Sequence, residues 1–178
     1  MLDRSLVKQA GQLISAIKTE VIESENYPDI LSLLEKELIL QKYINERISL
    51  SVMEELIYYS NKYSTVKTIE SAKEKFRNIL DRSIFSRTEA QQRQIEGLFR
   101  DRNLRKRSSD DSFLHTVHYN ILYNWKNGSE NDWEKEYRFT RKNYNLLLTN
   151  PEKIKYFPEL SIQLFYNYLI AVSISGRA

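Results

Sequence analysis

Apolar residues recur every three or four positions along almost the whole chain, the spacing of one face of an α-helix. The first stripe predicts a helix over about residues 3–24, and the next predicts a helix that ends near Tyr43. Between them, Pro28 suits the first turn of the second helix. Residues 1–44 are therefore predicted to form two antiparallel helices joined by a short turn. The stripe of the first helix consists of Leu6, Ala10, Leu13, Ile14, Ile17 and Val21.

The middle of the chain, residues 49–100, predicts three more helices. One spans about 50–63, the next runs from Ser64 or Thr65 to Leu80, and the third begins after Ser86 or Thr88. The polar stretch 101–111 follows and is predicted to be an exposed loop. We expect the second of these helices to bury Val66, Ile69, Ala72, Phe76 and Leu80.

The last part, residues 110–178, predicts three helices with clear end signals. The first is capped by Asp110-Asp111-Ser112 and ends at Asn127-Gly128, the second runs from Trp133 to Asn150-Pro151, and the third covers about 159–175 after Pro158.

Composition supports an all-helical fold. The 178 residues include only four Gly and three Pro, too few for the many turns of a sandwich or barrel. The absence of Cys excludes disulfides, thiolate zinc sites, iron–sulfur clusters and a Cys nucleophile. No apolar run approaches the roughly 18 residues of a membrane span, and nothing near Met1 resembles a signal peptide. We expect a cytoplasmic protein that makes no use of a membrane.

A short internal repeat stands out in the last part. The segments His118-Tyr119-Asn120-Ile121-Leu122 and Phe165-Tyr166-Asn167-Tyr168-Leu169 share an aromatic or imidazole ring, then Tyr-Asn, then Leu, 47 residues apart. A glycine follows each copy, Gly128 and Gly176. Periods of about 20–50 residues are typical of stacked helical units.

The second copy, residues 165–176, resembles the first helix of a tetratricopeptide repeat. Residues 133–158 resemble the lengthened second helix and linker of divergent bacterial tetratricopeptide-like proteins of unknown function. The resemblance implies an α-α superhelix, a solenoid of antiparallel hairpins that forms one domain over 1–178, and it implies no catalytic residue. Leu169 departs from the family, which prefers a small residue there, so the curvature of the solenoid cannot be copied from the standard repeat.

The resemblance also implies a groove that binds a protein or peptide partner. Asn side chains in such a groove can hold a peptide backbone through paired amide hydrogen bonds. The alternative is that these residues cap or bridge helices. The residues implied are Tyr119, Asn120, Tyr123, Lys126, Tyr166 and Asn167, together with Ser173.

The chain stops soon after an apolar helix, whereas solenoids end in polar capping helices. The sequence therefore suggests a fragment of a longer chain or a last helix that packs against something else. A natural end docked on the bundle is the alternative.

A basic cluster offers a second function. Five cations within eight residues could neutralise phosphates and give salt-dependent binding to nucleic acid. The favoured interpretation is a solvated loop balanced by nearby acidic residues, so nucleic acid is a possible but less favoured partner. The cluster consists of Arg100, Arg102, Arg105, Lys106 and Arg107.

Catalytic and metal-binding signals are weak. His115 and His118 share a helix face, but no H-E-x-x-H pattern supplies the other groups of a zinc site. Arg107 ahead of His115 fits no ribonuclease motif, and no glycine-rich phosphate loop occurs. We therefore expect no enzyme activity, no metal and no cofactor.

Together these observations predict a non-enzymatic protein-interaction scaffold. A nucleic-acid-binding helical protein and a compact helical-bundle inhibitor of the immunity type are the alternatives.

Overall fold

The computed structural model describes residues 4–45, 49–80, 88–101, 104, 112–130 and 132–176. Within these ranges the backbone forms eight helices and no strand, which confirms the all-helical prediction. None of these helices is long and apolar enough to cross a lipid bilayer. The helices are α1 (Arg4–Glu23), α2 (Tyr27–Asn45), α3 (Leu50–Leu80), α4 (Glu89–Phe99), α5 (Phe113–Ser129), α6 (Trp133–Thr149), α7 (Lys153–Tyr156) and α8 (Pro158–Ser175).

Helix α3 is one continuous helix where the sequence predicted two. Ser64 and Thr65 are good N-cap residues, but a cap residue only permits a helix to begin. No Gly or Pro occurs between Leu50 and Leu80, and Ser or Thr inside a helix costs only about 0.5 kcal/mol relative to Ala. The predicted break is therefore wrong, because nothing in this segment ends a helix.

The chain divides into two compact units, Met1–Ser64 and Thr65–Ala178. Residues 49–100, which the sequence grouped as one set of middle helices, are thus shared between them. In the first unit, α1 and α2 pack as the predicted hairpin. Lys18 of α1 forms ion pairs of 2.9 Å with both Glu37 of α2 and Glu55 of α3.

The predicted stripe of α1 is only partly covered. Leu6, Leu13 and Ile17 are exposed, whereas Ile14 and Val21 are half-buried. Helix α2 covers one flank of the stripe, since the half-buried positions lie on one side of it. The buried side chains of this unit come mainly from α2, with Tyr27 stacked on Tyr63 at 6.0 Å between ring centroids; they are Tyr27, Ile30, Leu33, Leu34 and Val52.

The second unit holds two clusters of buried apolar side chains, and Trp125 of α5 packs against both. One cluster joins α3, α4 and α5, and four of the five residues expected to be buried on α3 are buried, while Leu80 is half-buried. Its members are Ile69, Ala72, Phe76, Ile95, Phe99, Leu104 and Leu122.

The other cluster joins α5, α6 and α8. Its buried members are Phe113, Val117, Ile121, Leu147 and Leu164. Helix α6 packs against both α5 and α8, and the short α7 lies in the predicted turn before Pro158. The second unit is therefore centred on α5 and α6.

The two glycines of the internal repeat have different roles. Helix α5 ends at Ser129, slightly beyond its predicted end, so Gly128 lies inside the helix. Gly176 instead adopts a φ of +64° and ends α8 in the left-handed conformation that favours glycine. The two copies of the repeat therefore differ in backbone conformation at their glycines.

Candidate functional site

Asn120 does not face a groove. Its side chain is 1% exposed, and its Nδ2 donates a hydrogen bond of 2.7 Å to Oδ1 of Asn143 on α6. Helix α6 covers Asn120, and the two amides bridge the helices, so this structure does not present the Asn120 side chain to a partner. This is the structural alternative that the sequence had left open.

The other α5 candidates are half-buried and take part in packing. Tyr119 stacks on Tyr123 at 4.5 Å between ring centroids, and Tyr123 also donates a hydrogen bond of 3.4 Å to the carbonyl of Leu104. Lys126 forms an ion pair of 2.9 Å with Glu130. These three side chains thus stabilise the unit, and no large part of them is presented to solvent.

The α8 candidates are more accessible. Tyr166 is 62% exposed, Ser173 is exposed and Asn167 is half-buried. Together with Tyr166, the apolar side chains of α8 form an exposed row at the i, i+3, i+4, i+7 spacing of one helix face. We name this row the α8 stripe: Ile162, Phe165, Tyr166 and Leu169.

The same 47-residue offset relates the faces of α5 and α8. Val117 and Leu164 correspond and belong to the same buried cluster beside α6. Tyr168, which corresponds to Ile121, stacks on Tyr144 of α6 with a centroid distance of 4.1 Å. Both helices therefore turn the same face toward α6.

The faces of α5 and α8 that point away from α6 differ in what covers them. The α5 residues that correspond to the α8 stripe are His115, His118, Tyr119 and Leu122. His115 and Leu122 are buried, and the other two are half-buried. Leu122 and Tyr119 pack in the cluster that α5 forms with α3 and α4, and His118 contacts Lys73 of α3. On α8, Phe165 contacts Tyr144 of α6 at 6.1 Å between ring centroids. No described helix covers the rest of the α8 stripe, and its four side chains remain exposed.

His118 lies in a polar cluster with α3. Its Nδ1 is 2.9 Å from Nζ of Lys73, and its Nε2 is 3.6 Å from a carboxylate oxygen of Glu70. Burial, with the Lys73 charge as a second cause, lowers the pKa of His118 to about 4. Burial also lowers the pKa of Lys73. His118 is therefore neutral at pH 7 and serves packing between α3 and α5.

Helices α5, α6 and α8 also line a cavity of about 280 Å³ that is partly open to solvent. Its walls are the rings of Trp125, Trp133 and Tyr137 together with the aliphatic side chains of Ile170 and Ile174. The polar groups that line it are Asn124, Glu136, Thr140, Asn167 and Ser175. Of the predicted partner-binding residues, Asn167 alone lies in this cavity.

Among the described residues that line the cavity, Glu136 is the only charged one. A Cβ placed on Gly128 would lie 3.0 Å from Oε2 of Glu136, so the glycine lets the carboxylate lie against α5. That oxygen is buried and accepts no hydrogen bond from any described residue. Burial alone raises the pKa of Glu136, since no charged neighbour contributes.

Sequence reasoning missed Glu136, although a signal was present. The neighbouring acidic residues have cations at helical spacing: Glu134 pairs with Arg138, Asp132 with Lys135. Three and four residues before and after Glu136, the chain has Trp133, Asp132, Phe139 and Thr140, and no cation. Glu136 thus differs from its acidic neighbours in having no cation three or four residues away, and this difference was visible in the sequence.

The structure describes only one residue of the basic cluster, Arg100. Arg100 is exposed and lies 3.6 Å from Glu96 on the same helix. Arg102, Arg105, Lys106 and Arg107 lie outside the described residues, and so do Asp110 and Asp111. Binding of nucleic acid to this segment stays a prediction. Among the described residues, no group of three or more His, Asp or Glu side chains is arranged to hold a metal ion.

No family model matches the chain, and searches of curated proteins and of solved structures find no match either.

Proposed function

We propose that the protein is a non-enzymatic interaction scaffold, and that its α8 stripe binds an amphipathic helix of a partner protein. The observation that carries this proposal is the exposure of Ile162, Phe165, Tyr166 and Leu169 on one face of α8. Exposed apolar rows of this kind are typical of helix-binding surfaces. In this proposal α5, α6 and α8 act as tetratricopeptide-like helices of a solenoid.

A helix is the proposed occupant because the same molecule provides the precedent. The face of α5 that corresponds to the α8 stripe is covered by helices, with Ile69 and Phe76 of α3 and Phe99 of α4 in the buried cluster. The α8 stripe carries a related pattern of side chains. A partner helix with apolar residues at i, i+3, i+4 and i+7 would cover it in the way that α3 covers α5.

The scarcity of charged residues on α8 favours an apolar contact with the partner. Glu159 in the first turn is the only charged residue of α8, so a polar or charged partner face would find no counter-charge on the stripe. The contact would depend on the burial of apolar surface, which contributes about 25 cal/mol per Å².

The test uses a designed 18-residue peptide with Leu at i, i+3, i+4 and i+7 and with Lys and Gln elsewhere. A peptide of the same composition in scrambled order is the control. Binding is measured by fluorescence anisotropy of the labelled peptides. We expect the patterned peptide to bind and the scrambled peptide to bind at least about tenfold more weakly, a difference of about 1.4 kcal/mol.

Two matched variants locate the contact. Leu169→Ser removes an apolar side chain from the stripe, and Leu148→Ser makes the same change at an exposed position of α6; these leucines are 50% and 59% exposed. Leu169→Ser should weaken binding about tenfold, and Leu148→Ser should leave it unchanged. Equal effects of the two variants, or equal binding of the two peptides, would overturn the proposal. A dimer in light scattering that Leu169→Ser dissociates would also overturn it, since a second copy would then occupy the stripe.

A further inference from the structure

The cavity between α5, α6 and α8 combines aromatic walls with one carboxylate. Trp125, Trp133 and Tyr137 line it, and Glu136 is the one charged residue among the described residues of its lining. A volume of about 280 Å³ has room for a short side chain or a small amine. Ligands of drug size occupy pockets of about 300–1,000 Å³, so the cavity is suited to something smaller.

Among the described residues, no cation forms an ion pair with the Glu136 carboxylate. Oε2 of Glu136 is buried and has no hydrogen-bond donor among the described residues. Glu136 is half-buried, and the loss of water around this oxygen without a replacement donor disfavours the charged form of its carboxyl. The negative charge of the Glu136 carboxylate, which lines the cavity, would attract a cation there and repel an anion.

The aromatic rings favour an organic cation. An ammonium or guanidinium group is attracted to the face of a Trp or Tyr ring, and its hydrocarbon portion can lie against apolar side chains. Trp133 is 53% exposed, and Ile170 and Ile174 supply an aliphatic surface beside it. A metal ion would need several oxygen or nitrogen ligands, and the lining offers one carboxylate.

We propose that this cavity binds an alkylammonium or guanidinium group, with Glu136 as its anionic partner and with Trp133 and Tyr137 around its hydrocarbon portion. The cation can come from a small amine or from a Lys or Arg side chain of another protein. The inference rests on the cavity alone and does not depend on the α8 stripe.

Intrinsic tryptophan fluorescence can report binding in this cavity. Trp125 and Trp133 are the only two tryptophans of the chain, and both line the cavity. The intact protein is titrated with n-butylammonium chloride and with ethylguanidinium chloride at constant ionic strength, and tryptophan emission is recorded. Neutral 1-butanol at the same concentrations is the control. We expect a saturable change with a dissociation constant of about 1 mM for the cations and none for the alcohol.

Two variants on α6 identify the anion. Glu136→Gln keeps the shape of the side chain and removes its charge, and it should weaken the binding of n-butylammonium at least about tenfold. Glu134→Gln makes the same change two residues away, outside the cavity lining, and should leave the binding unchanged. Circular dichroism checks that both variants are folded.

The source of the cation is distinguished with a peptide. Acetyl-Gly-Lys-Gly-amide that binds at least as tightly as n-butylammonium indicates a side chain of a partner, and binding of the amine alone indicates a small molecule. A saturable response to 1-butanol equal to that of the cations would overturn the proposal. So would an unchanged affinity of Glu136→Gln, or no saturable response to either cation. Leu169→Ser leaves the cavity lining intact, so a failure of the stripe proposal does not affect this result.

Discussion

Leu122 of α5 and Leu169 of α8 occupy the same position of two related helices, yet Leu122 is completely buried and Leu169 is 50% exposed. The difference lies in their surroundings. Leu122 belongs to the cluster that α3, α4 and α5 form, whereas no described helix covers the stripe to which Leu169 belongs.

This pair leads to a direct prediction about stability. Leu122→Ala leaves a cavity in a packed cluster and should lower the free energy of unfolding by about 2–5 kcal/mol. Leu169→Ala should change it by less than about 0.5 kcal/mol, because an exposed side chain has little packing to lose. Urea unfolding followed by tryptophan emission measures both, since Trp125 and Trp133 lie in the same unit as these leucines. Similar losses for the two variants would show that α8 is covered in solution.

Asn120 and Asn143 should be coupled. Asn120→Ala leaves Oδ1 of Asn143 without its donor and should destabilise the second unit by about 1–3 kcal/mol. Asn167→Ala removes a half-buried side chain from the cavity lining and should cost much less. A double-mutant cycle of Asn120→Ala and Asn143→Ala should give a coupling energy of about 0.5–3 kcal/mol. Additive effects would mean that the bridge between α5 and α6 does not form.

His118 should make the protein sensitive to acid. Its pKa of about 4 in the folded chain lies below the ordinary value near 6.5, so the folded state favours the neutral ring. The resulting stability is present above pH 6.5 and is lost as the pH falls toward 4, on the order of 3 kcal/mol in total. The charged or titratable groups that influence the ring are Lys67, Glu70, Lys73 and His115.

His118→Gln tests this directly, because Gln keeps an acceptor for Lys73 but does not titrate. The variant should lose much less stability between pH 7 and pH 4.5 than the parent protein in urea unfolding. An NMR titration of the His118 ring should place its midpoint well below 6. A midpoint near 6.5 would contradict the burial of the ring under α3.

Glu136 should have the opposite pH dependence. Burial raises its pKa, so the folded state favours the protonated carboxyl. The favourable contribution is present below the ordinary pKa and is lost as the pH rises through the raised value. No charged group among the described residues alters this sign, because burial is the only cause of the shift in the pKa of Glu136.

Glu136→Gln should therefore be more stable than the parent protein at pH 8, and the difference should shrink toward pH 4. Thermal unfolding at the two pH values measures it, with Glu134→Gln as the control of equal charge. A lower melting temperature for Glu136→Gln at pH 8 would show that the carboxylate has a stabilising partner in the folded protein.

Helix ends were largely predictable from the sequence. Thr88 caps α4 with Gln91 in a reciprocal capping box, Ser112 accepts a hydrogen bond of 3.1 Å from the backbone of His115, and Pro158 begins α8. A cap residue or a proline acts within one helical turn, so the residues that determine where a helix begins or ends are neighbours in the chain. The predicted break near Thr65 failed because a cap residue without a preceding stop signal does not end a helix.

The sequence by itself determined that the chain is helical and that α5 and α8 share a pattern, because periodicity and caps are local properties. Only the tertiary structure decided that Asn120 is buried while Asn167 lines a cavity. It also decided that Leu122 is covered while Leu169 is exposed, and that the Glu136 carboxylate occupies the space beside Gly128 that a Cβ would need. The physical reason is that burial depends on which helix packs against a face. That helix can lie far away in the chain, as Lys73 does from His118 at a separation of 45 residues.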